Sequence, residues 1–90
     1  MPRRYKTSKN FDKVLSKLRF KDKQLYESLL KKMNEILNNE NIEHYKNLKY
    51  VLKEYKRVHI GHFVLIFKYL KAEDLILFDD FDHHNVIYKK

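Results

Sequence analysis

No cysteine occurs among the 90 residues, which excludes a disulfide framework, a thiolate nucleophile and thiolate-bound zinc. One glycine and one proline leave little room for long flexible linkers. No apolar run reaches the roughly 18 residues of a membrane span, and no signal-peptide apolar segment follows Met1-Pro2. A soluble protein of the cytoplasm without membrane contact is therefore expected. Acidic residues are scarce as well, 12 against 20 lysines and arginines, for a net charge of +8. The deficit is uneven: residues 1–39 carry 11 basic against 4 acidic groups, residues 40–71 carry 7 against 3, and residues 72–90 carry 2 against 5. A basic surface attracts polyanions or an acidic protein partner, although a lysine shell that merely solvates a small domain is common. The length suits a single domain over residues 1–90 with an adequate core.

The stretch that organises the chain is Tyr55 to Tyr69, where two β-rich runs meet at Gly61, the sole glycine. Glycine takes positive φ without steric cost and so suits a tight hairpin. Period-two alternation puts Arg57 and His59 on one face of the first arm, and Val58 and Ile60 on the other. The second arm, Phe63 to Phe67, is apolar on both faces, as in a central strand. His62 stands at the turn.

Upstream, residues 3–7 suit a short first strand. Phe11, Val14, Leu15 and Leu18 recur at helical spacing behind Ser8 or Asn10 as N-cap. Asp22 caps a second helix whose buried stripe is Leu25, Leu29, Met33, Ile36 and Leu37. Asn38-Asn39 suits its end, since asparagine tolerates the left-handed conformation. Helices so closely joined should form an antiparallel hairpin. Residues 53–60, 62–71 and 74–82 read as three strands of an antiparallel meander, followed by a polar tail over residues 83–90. The expected fold is α+β: an N-terminal helical hairpin on a small antiparallel sheet, a three-strand C-terminal meander plus a short N-terminal strand. The sheet face away from the helices is expected to stay partly open as a groove.

Five histidines are available for proton transfer near neutrality: His44, His59, His62, His83 and His84. All but His44 fall at the hairpin or just past the last strand, so they converge near one end of the sheet. His59, flanked by apolar residues on a strand, is the strongest functional candidate, and His44 on a loop the weakest. Asp79, Asp80 and Asp82 beside His83-His84 invite a metal reading, but the spacing matches no compact ligand set, and alternation turns Asp79 away from the other two. An acidic strand end that offsets the basic sheet, or that orients a histidine, is the simpler account. Phe63, Phe81 and Tyr88 add aromatic surface of the kind that holds unstacked RNA bases, with core packing explaining much of Phe63.

Taken in order, two helices, a loop bearing Leu48, the strand–Gly61–strand stretch, a strand through Phe78 and a terminal His83-His84-Asn-Val-Ile-Tyr88 resemble the RelE/ParE superfamily of type II toxin–antitoxin toxins. The resemblance spans nearly the whole chain. Many RelE toxins carry arginine where this chain has Val64 and His84, and those departures resemble the histidine-using, YafQ-like branch. What the resemblance implies is a metal-independent endoribonuclease, without cofactor, that cleaves mRNA in the ribosomal A site and is held by an acidic antitoxin in a heteromeric complex. Under it, His59 and His84 form the proton-transfer pair. Arg57, with Lys56, steadies the phosphorane, though alternation points Lys56 the opposite way. Tyr88 stacks on the substrate, with His62 and His83 as further substrate contacts. Two other readings compete: a ParE-like poison of DNA gyrase, and a non-catalytic basic module that binds RNA or a partner.

Overall fold

A computed structural model of the protein describes residues 2–48 and 53–88. In chain order the elements are β1 (Arg4–Thr7), α1 (Lys9–Lys21), α2 (Lys23–Asn38), β2 (Tyr55–Ile60), β3 (Phe63–Leu70), β4 (Leu75–His83) and α3 (His84–Ile87). Single 3₁₀ turns stand at Ile42–His44 and Lys71–Glu73. Residues 89 and 90 of the expected polar tail lie outside the described residues.

Both long helices start on side chains that satisfy their first free N–H groups. Ser8 Oγ accepts from Phe11 N at 3.0 Å, and Asp22 Oδ1 accepts from Leu25 N at 3.1 Å. The end of α2 departs from expectation, because Asn39 is extended (φ −79°) and not left-handed. Among the described residues the left-handed positions are Gly61, at φ 61° in the β2–β3 turn, and Asp74, at φ 50° before β4. Asp74 is held there by contacts a glycine could not make. Its carboxylate accepts from Arg3 Nε and from Tyr69 OH, each at 2.7 Å. Those two bonds, with Arg3 close by, hold the Asp74 carboxyl below its ordinary range.

The sheet order is β1-β4-β3-β2. The meander is antiparallel as expected, but β1 runs parallel to β4, from Arg4 opposite Leu75 to Thr7 opposite Phe78. The sheet is therefore mixed. A β-bulge sits where β4 passes β3: Ile66 pairs with Asp80 and Phe67 with Phe78, which leaves Asp79 as the extra residue. Without it, strict alternation would send Phe78 and Phe81 to opposite faces; with it, both join the core beneath the helices. Ser8 clamps this irregularity, its hydroxyl donating to the Asp79 carbonyl at 2.7 Å while its own N–H reaches Phe78 O at 3.0 Å.

The main core lies between the helices and one sheet face, with Phe11, Leu29, Ile36, Leu65, Phe67 and Phe78 fully buried. Leu25, named from sequence as part of the buried stripe, is only partly covered. The opposite sheet face is not the open groove expected. Val64 and Ile66 are buried there in a second cluster with Leu48 and Ile87. The stretch anticipated as a polar tail thus supplies a cover: His83 ends β4, and α3 folds back to seat Ile87 on the sheet.

Candidate active site

Arg57 and His59 share the sheet face opposite the long helices, pairing with Ile66 and Val64 of β3. Because those two partners form an apolar floor, the polar side chains of β2 stand at its edge rather than over open sheet. Ile87, 2% exposed, fixes α3 on that floor, which brings Tyr88 to the β2 side chains and holds His84 beside the hairpin turn, near enough for its charge to act on His59. The Tyr88 ring is 50% exposed, 6.4 Å from the His59 ring, and lies 6.0 Å from the Arg57 guanidinium carbon. Arg57 Nη1 approaches His59 Nδ1 at 3.4 Å. A guanidinium can only donate, so Nδ1 accepts in this contact.

Three more imidazoles continue the surface. The backbone N–H of His84 donates to His62 O at 2.9 Å, tying α3 to the hairpin turn. The His83 and His84 rings lie 4.8 Å apart, and His62 is 6.1 Å from His83 and 6.5 Å from His84. His83 also caps α3, its Nδ1 accepting from Asn85 N at 3.2 Å. His59 is pushed below the ordinary imidazole range, first by partial desolvation, then by the charges of Arg57 and His84. Both causes favour the neutral form of its ring.

Of the residues singled out from sequence, Arg57, His59, His84 and Tyr88 come together, with His62 and His83 at the adjoining end. Lys56 does not join them. It faces the helix side, 5% exposed, and its ammonium donates to Tyr45 O at 3.2 Å and Asn47 Oδ1 at 3.0 Å, with Glu43 at 3.8 Å. Its work is to fasten the Ile42–Asn47 connection to β2. His44 lies apart as well, exposed, its Nδ1 2.6 Å from Asn41 O. The acidic cluster has structural tasks: Asp80 is buried and accepts from Asn10 Nδ2 and Phe81 N, and Asp82 accepts from His83 N. Among the recorded partners of Asp80 is no histidine side chain; they are Asn10 and its own strand's backbone. Asn10 as its partner was missed, since nothing local in the sequence links residues 70 positions apart.

No family model matches the chain. Among solved structures, a chain of the toxin–antitoxin complex RelBE2 from Mycobacterium tuberculosis superposes with a TM-score of 0.75 at 15% identity, over 93% of each chain. YafQ from E. coli superposes at 0.63 with 22% identity, over 96% of this chain and 98% of that one. These likenesses define the class by its fold, that of the small RelE-like toxins. In sequence, a Methanocaldococcus jannaschii protein that carries the toxin name RelE4 is 48% identical over 82 residues, covering 90% of this chain and 85% of its own. The chain belongs to the RelE toxin family, and is thereby a toxin of the type II toxin–antitoxin class.

Proposed function

We propose that the protein is an endoribonuclease that cuts mRNA on the ribosome, without a metal ion, and is neutralised by an acidic antitoxin. The observation that carries this reading is the convergence of Arg57, His59 and Tyr88 on one sheet edge, with His84 held by α3 near enough for its charge to act on His59. Neutral His59 takes the proton of a ribose 2′-OH. The freed oxygen attacks the adjacent phosphorus in line, the P–O5′ bond breaks, and His84 as imidazolium protonates the departing 5′-oxygen. The products are a 2′,3′-cyclic phosphate and a 5′-hydroxyl, so atoms and protons balance. Arg57 steadies the extra charge on the five-coordinate phosphorus. Tyr88, half-exposed above both groups, offers a face for a nucleobase. His62 and His83 extend the contact along the RNA.

The test is single-turnover cleavage on programmed ribosomes with saturating enzyme, which separates chemistry from binding. His59→Gln and His84→Gln should each slow cleavage by about 10²–10⁴-fold, the worth of one positioned acid or base. A substrate with 2′-deoxy at the scissile position should not be cut, and chelation at levels that leave ribosomes intact should not matter. If both histidine variants cut at the wild-type rate, the catalytic assignment fails and a gyrase-binding or RNA-binding role takes its place.

A further inference from the structure

The row of side chains that carries Arg57 and His59 does not end with them. Side chains on one side of a strand recur every second residue, so Tyr55 precedes Arg57 and His59 in the same row of β2. Its cross-strand partner is Lys68, as Ile66 is for Arg57 and Val64 for His59. The Lys68 ammonium lies 5.8 Å from the centre of the Tyr55 ring. Tyr55 packs against the second core cluster and is only partly buried there. Its hydroxyl has no hydrogen-bond partner among the described residues. Among the same residues the ion pair of Lys68 is with Glu54, at 3.2 Å, and that carboxylate is 67% exposed. An ion pair so open to water is worth little and yields to a competing anion. Arg57 is therefore flanked by two aromatic rings: Tyr88, with its ring centre 6.0 Å from the guanidinium carbon, and Tyr55, its neighbour in the row.

We propose, resting on the nuclease reading above, that Tyr55 and Lys68 form a second nucleotide subsite, which takes a base of the single-stranded RNA away from the scissile bond. The base stacks on the Tyr55 ring and the phosphate beside it pairs with Lys68, the usual division of labour in single-strand binding. Four residues separate Tyr55 from His59, about 13 Å at ~3.3 Å per residue. A short stretch of RNA in contact with His59, Arg57 and Tyr88 thus continues onto this pair. Stacking accepts any base, because every base has a π-face. The pair therefore sets the register of the strand against His59 and does not read its sequence.

The experiment is an abasic scan in the programmed-ribosome assay. Each base near the scissile bond is removed in turn, and the half-saturating enzyme concentration is measured apart from the saturated rate. For the wild-type protein, loss of one base outside the scissile pair should raise the half-saturating concentration by about tenfold, with the larger effect there and not on the saturated rate. Tyr55→Leu keeps an apolar side chain on the second core cluster. It should weaken binding of the intact message by about tenfold and no longer respond to that base. Tyr55→Phe keeps the ring and should restore the response. Lys68→Met should lower the slope of log affinity against log salt by about 0.7, one phosphate contact in a single strand. A wild-type scan in which no base outside the scissile pair matters would overturn the proposal. So would a Tyr55→Leu penalty that stays the same whichever base is missing, since that is the mark of a plainly structural tyrosine. An oligoribonucleotide titrated against ring-labelled tyrosines and followed by NMR needs no cleavage, and so separates the two readings. Shifts at Tyr55 in a protein that never cuts sink the nuclease alone. Cleavage that depends on His59 but not on Tyr55 sinks the subsite alone.

Discussion

Ile87→Ala should cripple cleavage far more than it damages the fold. A helix of one turn has no stability of its own, so α3 stays in place because Ile87 is buried against Leu48, Val64 and Ile66. Truncation to Ala removes three buried carbons, worth about 2.4 kcal/mol at roughly 0.8 kcal/mol each. That weakens docking of α3 by roughly fiftyfold. The loss stays local, since an undocked α3 caps what the rest of the domain can lose, and the helical core with its separate set of buried residues is untouched. His84 and Tyr88 leave with α3, so single-turnover cleavage should fall by roughly fiftyfold, or by less where wild-type docking has free energy to spare. Ile87→Val removes one carbon and should lose about fourfold. Hydrogen exchange supplies an independent reading. The amides of His84 and Tyr88, bonded to His62 O at 2.9 Å and His84 O at 3.0 Å, should exchange faster in step with the activity loss, while Leu65 and Phe67 stay protected. Normal cleavage with fast exchange at those amides would show that a docked α3 is not needed for chemistry. Cleavage that falls only as far as global unfolding would show that Ile87 is plain core.

Much of this architecture was legible because its causes are local. Ser8 and Asp22 announce the helices through side-chain bonds to N–H groups three residues on, and Gly61 announces its turn because positive φ selects for it. The rest depends on partners distant in sequence. β1 is four residues with three exposed, and no pattern within it says that it will pair parallel to β4, about 70 residues away. The bulge at Asp79 leaves one trace, the three-residue step from Phe78 to Phe81, which strict alternation would place on opposite faces. The terminal stretch looked like a tail because it holds only two aliphatic residues, one of which, Ile87, closes the second core. The same fact bears on Val64. It is buried beneath α3, which leaves no room there for the arginine that the resemblance would lead one to expect. Alternation did separate Lys56 from Arg57; what it could not show is that carbonyl and carboxylate partners would pull that ammonium under the chain.

Lys56→Met should lower the melting temperature, because about 1–3 kcal/mol accompanies loss of a buried group that satisfies Tyr45 O and Asn47 Oδ1. Cleavage at saturating enzyme should hold within about twofold, and a deficit like that of His59→Gln would put Lys56 back in the site. Ser8→Ala removes both a helix cap, worth about 1 kcal/mol, and the bond that clamps the Asp79 bulge, worth about another. A fall in melting temperature of about 10 °C is expected for a domain of this size, and a change under about 2 °C would mean the bulge holds without its clamp. The pH profile tests the catalytic assignment most directly. A base must be unprotonated, so cleavage should be lost as pH falls through the value of His59 in the folded protein, which lies below the ordinary 6.5. Arg57 is one cause of that depression, and Arg57→Gln takes its charge away, so the acid limb should move up in pH while the plateau drops. Desolvation is the larger cause and survives the substitution, so the limb should stop short of 6.5. A limb that stays put in Arg57→Gln, or moves down, would mean that the titrating group is not His59, and the search for the base would pass to His84 and His62.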